Sequence, residues 1–169
     1  FFRVLQNTVT ISLSTLVFSF PSAILLALLI NELRSRKLSR TVQTITYMPH
    51  FISTVVICGI IRDLTSRTGG ITMLLAGFGV EQTNLLYVPS YFVPIFVLSD
   101  IWQSIGWNSI VYLSALMAID QELYEAARVD GANKWNQMLH ITIPSLIPTI
   151  IIMFILKVGK VFDVGYEKI

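Results

Sequence analysis

The sequence is poor in charge, cysteine and histidine. Charged residues make up 13% of the 169 residues, against roughly 25% in soluble domains, which argues against a water-soluble fold. The single cysteine, Cys58, allows no intrachain disulfide and lies in an apolar run, where a thiol is usually inert. One cysteine and two histidines are too few for a metal site. A net charge of +2 without a basic, aromatic-rich run excludes nucleic acid as a partner.

Apolar residues, in contrast, make up 54% of the chain and form long stretches. A transmembrane helix needs about 20 mainly apolar residues, because about 30 Å of hydrocarbon is crossed at about 1.5 Å per residue. Four stretches meet this requirement, and we expect the second to be kinked at Pro49. The sequence therefore predicts spans over residues 9–30, 42–61, 91–119 and 146–164.

The basic residues predict the orientation of these spans. Residues 31–40 hold four Lys or Arg side chains, whereas the longer segment 62–90 holds two. Because Lys and Arg favour the cytoplasmic side, residues 31–40 and 119–144 are predicted to be cytoplasmic and residues 62–90 extracytoplasmic, with a short interfacial helix. The fold class is all-α, a polytopic transmembrane helical bundle. The chain starts without Met and ends without a helix stop, so residues 1–169 read as one domain, truncated at both ends.

Residues 119–144 have the features of two short helices joined at a glycine. Asp120 can cap the first helix, and Gly131 can supply the left-handed residue that ends it. A second helix is predicted from Lys134 to His140, stopping before Pro144. On pattern alone, a docking element and an ordinary connecting loop both remain open.

The residues of this segment resemble the EAA loop of binding-protein-dependent ABC importer permeases. The family pattern is EAA, three residues, G, nine residues, I, one residue, LP, and this chain meets the spacing with Glu125, Gly131 and Ile141. Ile143 stands where the family usually has Leu. The likeness covers essentially the whole chain and is greatest to maltose-type carbohydrate permeases, in the polysaccharide and oligosaccharide branch. It implies a MetI-like permease fold that lacks one span before residue 1 and one after residue 169.

The resemblance also implies a mechanism and a set of partners. A separate ABC ATPase subunit, which uses ATP and Mg, would hold this loop in a groove and rock the spans. A second permease subunit, in a heterodimer, and an extracytoplasmic substrate-binding protein would complete the importer in the lipid bilayer. The chain has no G-x-x-x-x-G-K-S/T phosphate loop, so we expect no cofactor and no enzymatic activity of its own. The implied ATPase-coupling residues are Tyr124, Glu125, Ala126, Ala127, Asp130, Gly131, Ala132, Ile141 and Pro144.

Polar residues in the third span are candidates for the substrate pathway. Asp100, Gln103, Ser104 and Trp107 are spaced i, i+3, i+4 and i+7, which places them on one helix face. An acceptor, an amide, a hydroxyl and an aromatic plate suit a sugar. In the alternative interpretation, Trp107 is an interface anchor and Asp100 lies at the outer rim. The matching stretch of maltose-type permeases lines the sugar site, which favours the first interpretation.

The last predicted span carries three charged residues, Lys157, Lys160 and Asp163. The resemblance makes Lys160 and Asp163 further candidates for the substrate pathway, and lysines here would suit an acidic glycan. Snorkelling or an intrahelical Lys160–Asp163 pair is the alternative. An ion-coupled secondary transporter could instead use these groups and Asp100 as relays, but it would not explain the EAA loop. An intramembrane enzyme is disfavoured, because no catalytic pair with suitable spacing is present.

Overall fold

The computed structural model describes residues 2–159, and over this range the chain contains α-helices and no β-strand. Short 3-10 turns lie at Met48–Phe51 and Leu85–Tyr87, and a π-helical turn lies at Met138–Thr142. The all-α prediction is confirmed. The helices are α1 (Phe2–Asn31), α2 (Arg36–Tyr47), α3 (Thr54–Thr65), α4 (Gly70–Ala76), α5 (Pro89–Met117), α6 (Gln121–Val129), α7 (Lys134–Gln137) and α8 (Ile143–Gly159).

The bundle is built on a close contact between α1 and α5, the most extensive helix pair among the described residues. Small side chains let two helices approach closely within a membrane. α1 contributes the buried residues Ala23 and Ala27 to this contact, whereas the buried Gly106 of α5 lies against the backbone of Thr46 in α2. The contact grows into an apolar core where Tyr112 and Leu116 of α5 meet Leu146 of α8. The buried stripe of α1 repeats every three or four residues and consists of Ser12, Thr15, Ser19, Ala23, Ala27 and Ile30.

Two helices are long and apolar enough to cross a membrane, Phe2–Asn31 and the continuous helix Lys134–Gly159. A third span results if the bent pair Arg36–Phe51 and Thr54–Ala76 is counted as one. The predicted span 91–119 is present as the helix α5, although α5 is not among the helices that meet this criterion of length and apolar composition. α5 has the required length, with 29 residues, but polar side chains lower its hydropathy. Other helices can meet such groups in place of lipid, as the hydroxyl of Ser19 in α1 does by donating to the Asp100 carboxylate of α5 at 3.0 Å.

The predicted span 42–61 is a broken helix rather than one kinked helix. α2 begins at Arg36, where the side chain of Ser35 caps it, and the two halves of the span meet at 97°. Pro49 lacks an N–H group and starts the 3-10 turn, while Ile52 has extended backbone with ψ of 133°. The interruption at Pro49 is thus confirmed, but its size was underestimated because extended residues follow the proline.

The helix predicted to stop before Pro144 instead continues into α8. The π-helical turn makes this possible: the N–H of Ile143 reaches back to the carbonyl of Met138, one residue further than in an α-helix. Pro144, which has no N–H group, directly follows this wider turn, so the irregular bonding lies where a proline interrupts the α-helical pattern. The predicted stop is therefore wrong. Residues 160–164 of the fourth predicted span lie outside the described residues, as do Lys160 and Asp163.

The two ends of the bundle are distinguished by their contacts. Lys134 pairs with Glu32, so the segments 31–40 and 119–144 lie at the same end. At the other end, Asn7 near the start of α1 shares a cavity with Leu86 and Pro89. This arrangement confirms that segments 31–40 and 119–144 lie at the end of the bundle opposite segment 62–90. A short helix does occur in 62–90, namely α4.

Candidate functional site: a capped helix pair and a cavity between helices

The first helix of the pair, α6, begins as its sequence predicts. Asp120 has extended backbone, with φ −62° and ψ 127°, and its carboxylate accepts a hydrogen bond from the N–H of Glu122 at 3.0 Å. Glu122 lies in the first turn and Arg128 in the last, so both charges oppose the helix dipole favourably. The cap and the charges fix the start and direction of α6 with interactions local to it.

The turn between α6 and α7 is closed by a Schellman motif. Gly131 has φ of +80°, which favours glycine. The N–H of Ala132 donates to the carbonyl of Ala127 at 2.8 Å, and the N–H of Gly131 donates to that of Arg128 at 3.1 Å. Asn133 then caps α7 by accepting from the N–H of Asn136 at 2.8 Å. The predicted left-handed glycine is confirmed, and the turn is held by several bonds within a few residues.

One side of this helix pair is fastened to the bundle. The hydroxyls of Tyr124 and Thr142 share a hydrogen bond of 3.0 Å, and Thr142 is buried. Tyr124 and Ile141 also pack against the apolar core. The Lys134–Glu32 ion pair adds a link to the end of α1. Tyr124 and Ile141 are therefore internal supports of the helix pair, which the sequence motif alone does not reveal.

The other side of the helix pair faces outward. Glu125, Ala126, Asp130 and Gly131 are exposed. Val129 on the same side is 88% exposed, although it is apolar. A projecting surface with small and apolar residues beside carboxylates has the properties of a docking surface for another protein. Ala127 and Ala132 are half-buried, and Pro144 is exposed in the first turn of α8.

A cavity of about 250 Å³ lies between α1, α5 and α8. Polar residues of three helices line it, namely Ser19, Asn108 and Lys157. Phe20 and Tyr112 supply aromatic surface, and their rings meet edge to face at 6.3 Å. A mixed polar and aromatic lining can hold a sugar ring and its hydroxyls.

The predicted substrate residues of α5 contact two different neighbours. Asp100 accepts from Ser19 of α1, as described above, whereas Trp107 stacks on His50 with centroids 4.5 Å apart and an interplanar angle of 7°. Ser104 donates its hydroxyl to the backbone carbonyl of Asp100 at 2.6 Å. Gln103 is half-buried. The contribution of these residues to sugar binding stays a prediction.

The comparison with known proteins decides the family. Residues 5–163 match the family described as the binding-protein-dependent transport system inner membrane component. The chain belongs to this family. It is a transport permease component of an inner membrane, and the resemblance carried by the EAA loop is confirmed.

Several relatives of this permease have carbohydrate transport in their names. The polygalacturonan/rhamnogalacturonan transport system permease protein YteP of Bacillus subtilis (strain 168) is 41% identical over 170 residues, covering 100% of this chain and 53% of YteP. The lactose transport system permease protein LacF of Rhizobium radiobacter is 30% identical, covering 89% of this chain and 51% of LacF. The chain thus spans about half the length of the curated relatives it matches.

A solved structure supports the same fold. A bacterial ABC transporter involved in the import of the acidic polysaccharide alginate contains a chain that superposes with a TM-score of 0.92 and 43% identity. The match covers 99% of this permease and 59% of that chain. A second structure of a bacterial alginate ABC transporter, in complex with an alginate pentasaccharide-bound periplasmic protein, matches with a TM-score of 0.89.

Sequence reasoning missed four residues that line the cavity of this permease. Asn108 is an amide in a predicted span, next to the predicted Trp107, and its polarity could have singled it out. Ser19 and Ala23 are four residues apart in a stripe of small residues, a spacing typical of a close helix contact. Phe20 gives no comparable signal, because its sequence neighbours are also apolar or small.

Proposed function

We propose that this chain is the transmembrane core of an ATP-driven importer for an oligosaccharide. It receives the sugar from an extracytoplasmic binding protein and works with a second permease subunit and an ABC ATPase. The observation that carries the proposal is the capped helix pair α6–α7, which projects its exposed Glu125 and Ala126 from one end of the bundle. Such a surface has no purpose in a transporter that works without a protein motor.

The helix pair can transmit force because it is stiff and anchored. Its outer face, with Glu125 and Asp130, docks in the ATPase, while its inner face is tied to α8 through Tyr124 and to α1 through Lys134. Closure of the ATPase therefore displaces α1 and α8 relative to α5 and changes access to the cavity between them. The permease itself binds no cofactor, and ATP and Mg act in the partner subunit.

The cavity defines the class of sugar that we propose. Lys157 lines the cavity together with Ser19 and Asn108, and its positive charge favours a carboxylated oligosaccharide. A cation in a low-dielectric site attracts a carboxylate strongly. The likeness to a transporter of an acidic polysaccharide supports the same choice. The pathway further includes Asp100, Gln103, Ser104, Trp107, Lys160 and Asp163 as proposed contacts.

The coupling step is tested by Gly131→Val and Glu125→Lys in the reconstituted complex. Gly131 has a φ that costs a bulky residue roughly 1 to 2 kcal/mol, and a side chain there would project into open space, where the partner docks. We expect substrate-stimulated ATP hydrolysis to fall at least about fivefold, the equivalent of about 1 kcal/mol of coupling. The measurement is ATPase activity in proteoliposomes, with pull-down of the ATPase subunit and permease levels by blot.

A matched control separates backbone strain from coupling. Gly79→Val meets the same strain, since Gly79 has φ of +88° and open space around it, but it lies in the 62–90 segment at the other end of the bundle. Stimulated hydrolysis should stay near the original rate in this variant. Normal stimulation by Gly131→Val and Glu125→Lys, with normal permease levels, contradicts ATPase coupling through this loop. Uptake driven by an ion gradient would then identify a secondary transporter.

A further inference from the structure

A second, larger cleft lies outside the transport cavity, between the end of α1 and the helix pair α6–α7. Its volume is about 560 Å³. Residues from both regions form its wall, with Asn31 and Arg34 on one side and Arg128 and Lys134 on the other. The proposed transport mechanism uses Tyr124 and the Lys134–Glu32 pair in its wall, but it does not use the space of the cleft itself.

The cleft carries an excess of positive charge. Arg34, Arg128 and Lys134 line it, and the acidic residue in its wall is Glu32. Glu32 is taken up by Lys134 in an ion pair. Within residues 2–159, neither arginine forms an ion pair or a side-chain hydrogen bond. Two guanidinium groups are thus available to a ligand that enters from outside.

The cleft lies at the depth of lipid headgroups. α1 has 30 residues, which gives it a length of about 45 Å, against about 30 Å of hydrocarbon and about 40–45 Å of bilayer with headgroups. Its last residue, Asn31, therefore reaches the headgroup region. Asn31 and Leu116, near the end of α5, both line the cleft, so this wall is at headgroup level.

The cleft borders the predicted ATPase-coupling segment, since Tyr124 and Ala132 line it, but it does not include the exposed carboxylate of that segment at Glu125. On α6, the residues that line the cleft are Gln121, Tyr124 and Arg128, which follow one helix face at i, i+3 and i+7. Glu125 and Val129 are exposed and do not line it. A partner seated on Glu125 and Val129 therefore does not have to enter the cleft.

We infer that this cleft binds the phosphate group of an anionic phospholipid from the leaflet that faces the EAA loop. The planar guanidinium groups of Arg34 and Arg128 match phosphate oxygens in a bidentate geometry. Basic pockets between transmembrane helices on the cytoplasmic side suit anionic headgroups in general. A bound lipid would bridge the end of α1 and α6, and so stabilise the link between the loop and the bundle.

The test uses the full-length permease assembled with its partner subunits and stripped of lipid. Native mass spectrometry then measures binding of phosphatidylglycerol, with phosphatidylcholine as the zwitterionic reference. Each basic residue near a membrane surface contributes about fivefold in affinity. We expect Arg34→Ala with Arg128→Ala to weaken phosphatidylglycerol binding about 25-fold and to leave phosphatidylcholine binding unchanged. Replacing both arginines by Lys should restore part of the affinity, which shows that the complex is folded.

The matched control removes the same charge beside the cleft. Lys37 and Arg40 lie on α2 and do not line the cleft, so Lys37→Ala with Arg40→Ala should change phosphatidylglycerol binding by less than the cleft pair. Equal losses in both pairs overturn the inference in favour of general surface charge. If Arg34→Ala with Arg128→Ala leaves lipid binding unchanged but releases the ATPase subunit, the cleft binds a protein partner, which overturns the inference. Complete displacement of the lipid by millimolar glycerol 3-phosphate assigns it to a soluble phosphate, which also overturns the lipid source.

Discussion

The chain reverses or breaks its helices at two informative places, and they are held in different ways. At Gly131, the N–H of Ala132 donates to the carbonyl of Ala127, and the side chain of Asn133 accepts from the N–H of Asn136, so bonds within a few residues hold the turn. At Pro49, the break between α2 and α3 is held against α5, a helix that lies far away in sequence. The turn at Gly131 could be predicted in detail from the sequence, whereas the sequence predicted only a kink at Pro49 and not a bend of 97°.

The contacts at the break explain this difference. The backbone of Thr46 packs directly against Gly106 of α5. A Cβ atom added at Gly106 would overlap the Thr46 carbonyl and lie 2.9 Å from the nitrogen of Tyr47. The next residue of α5, Trp107, stacks on His50. A proline in an apolar run predicts an interruption, but only the partner helix decides how far the chain turns.

The largest effect is expected from Gly106→Ala, which attacks the break directly. The added methyl group meets backbone atoms, which cannot rotate away as a side chain can, so we expect a loss of about 1–3 kcal/mol in the free energy of unfolding. Thermal unfolding of the purified full-length permease, followed by tryptophan fluorescence, measures it.

The control for this variant is Gly59→Ala in α3. A Cβ atom at Gly59 meets nothing within 4 Å, and alanine is favoured over glycine in a helix by about 1 kcal/mol. Gly59→Ala should therefore leave the melting temperature equal or higher. Equal melting temperatures for Gly59→Ala and Gly106→Ala would show that the close approach of α2 and α5 does not hold the break.

A smaller effect is expected from the aromatic stack. A double-mutant cycle of His50→Ala and Trp107→Ala should give a coupling of about 0.5–1.5 kcal/mol, the usual range for aromatic pairs. Sugar uptake by the same variants separates support from substrate contact. We expect Trp107→Ala to reduce uptake more than His50→Ala, with the complex intact. The reason is that the exposed part of the Trp107 indole is available to the sugar in the original protein, and only Trp107→Ala removes it.

The control for the indole is Trp102→Ala, one turn earlier on α5. Trp102 and Trp107 are similarly exposed, at 48% and 44%, but Trp102 has no ring partner among the described residues. Uptake should be close to normal for Trp102→Ala. If His50→Ala and Trp107→Ala lower uptake equally, Trp107 serves the break alone and its place in the substrate pathway is wrong.

An effect of similar size is expected where local bonds already hold the chain. Tyr124→Phe removes the hydrogen bond to Thr142, at a cost of about 0.5–1.5 kcal/mol in the free energy of unfolding. Thr142 keeps its second bond, to the carbonyl of Gln137 at 3.4 Å, so its buried hydroxyl is not left without a partner. In Tyr124→Phe, the α6 amides should exchange faster than in the original protein, and this increase should be larger than for the α5 amides.

The same substitution at an exposed tyrosine provides the reference. Tyr87 is 85% exposed, so Tyr87→Phe should change neither stability nor exchange. A double-mutant cycle of Tyr124→Phe and Thr142→Val should give a coupling energy close to the loss of stability caused by Tyr124→Phe alone. If the α6 amides exchange as in the original protein, the helix pair is held by its caps alone, and the transmission of force through Tyr124 loses its support.

Local chemistry explains what could be predicted from the sequence. The carboxylate of Asp120, the missing side chain of Gly131 and the amide of Asn133 act on backbone groups within three residues, so the chain order alone places them. The apolar stretch 9–30 is likewise a property of consecutive residues, and α1 contains it as predicted. Membership of the permease family followed from the spacing of the EAA loop.

Tertiary structure alone decided the rest, because those features depend on which side chains meet across helices. The packing of α1 on α5 brings the Ser19 hydroxyl within 3.0 Å of the Asp100 carboxylate. The hydroxyl of Tyr124 likewise meets that of Thr142, just before the start of α8. The two arginines of the basic cleft come from segments far apart in the chain, Arg34 after α1 and Arg128 in α6. Periodicity along one helix shows which residues share a face, but the partner of that face is set by the packing of the whole bundle.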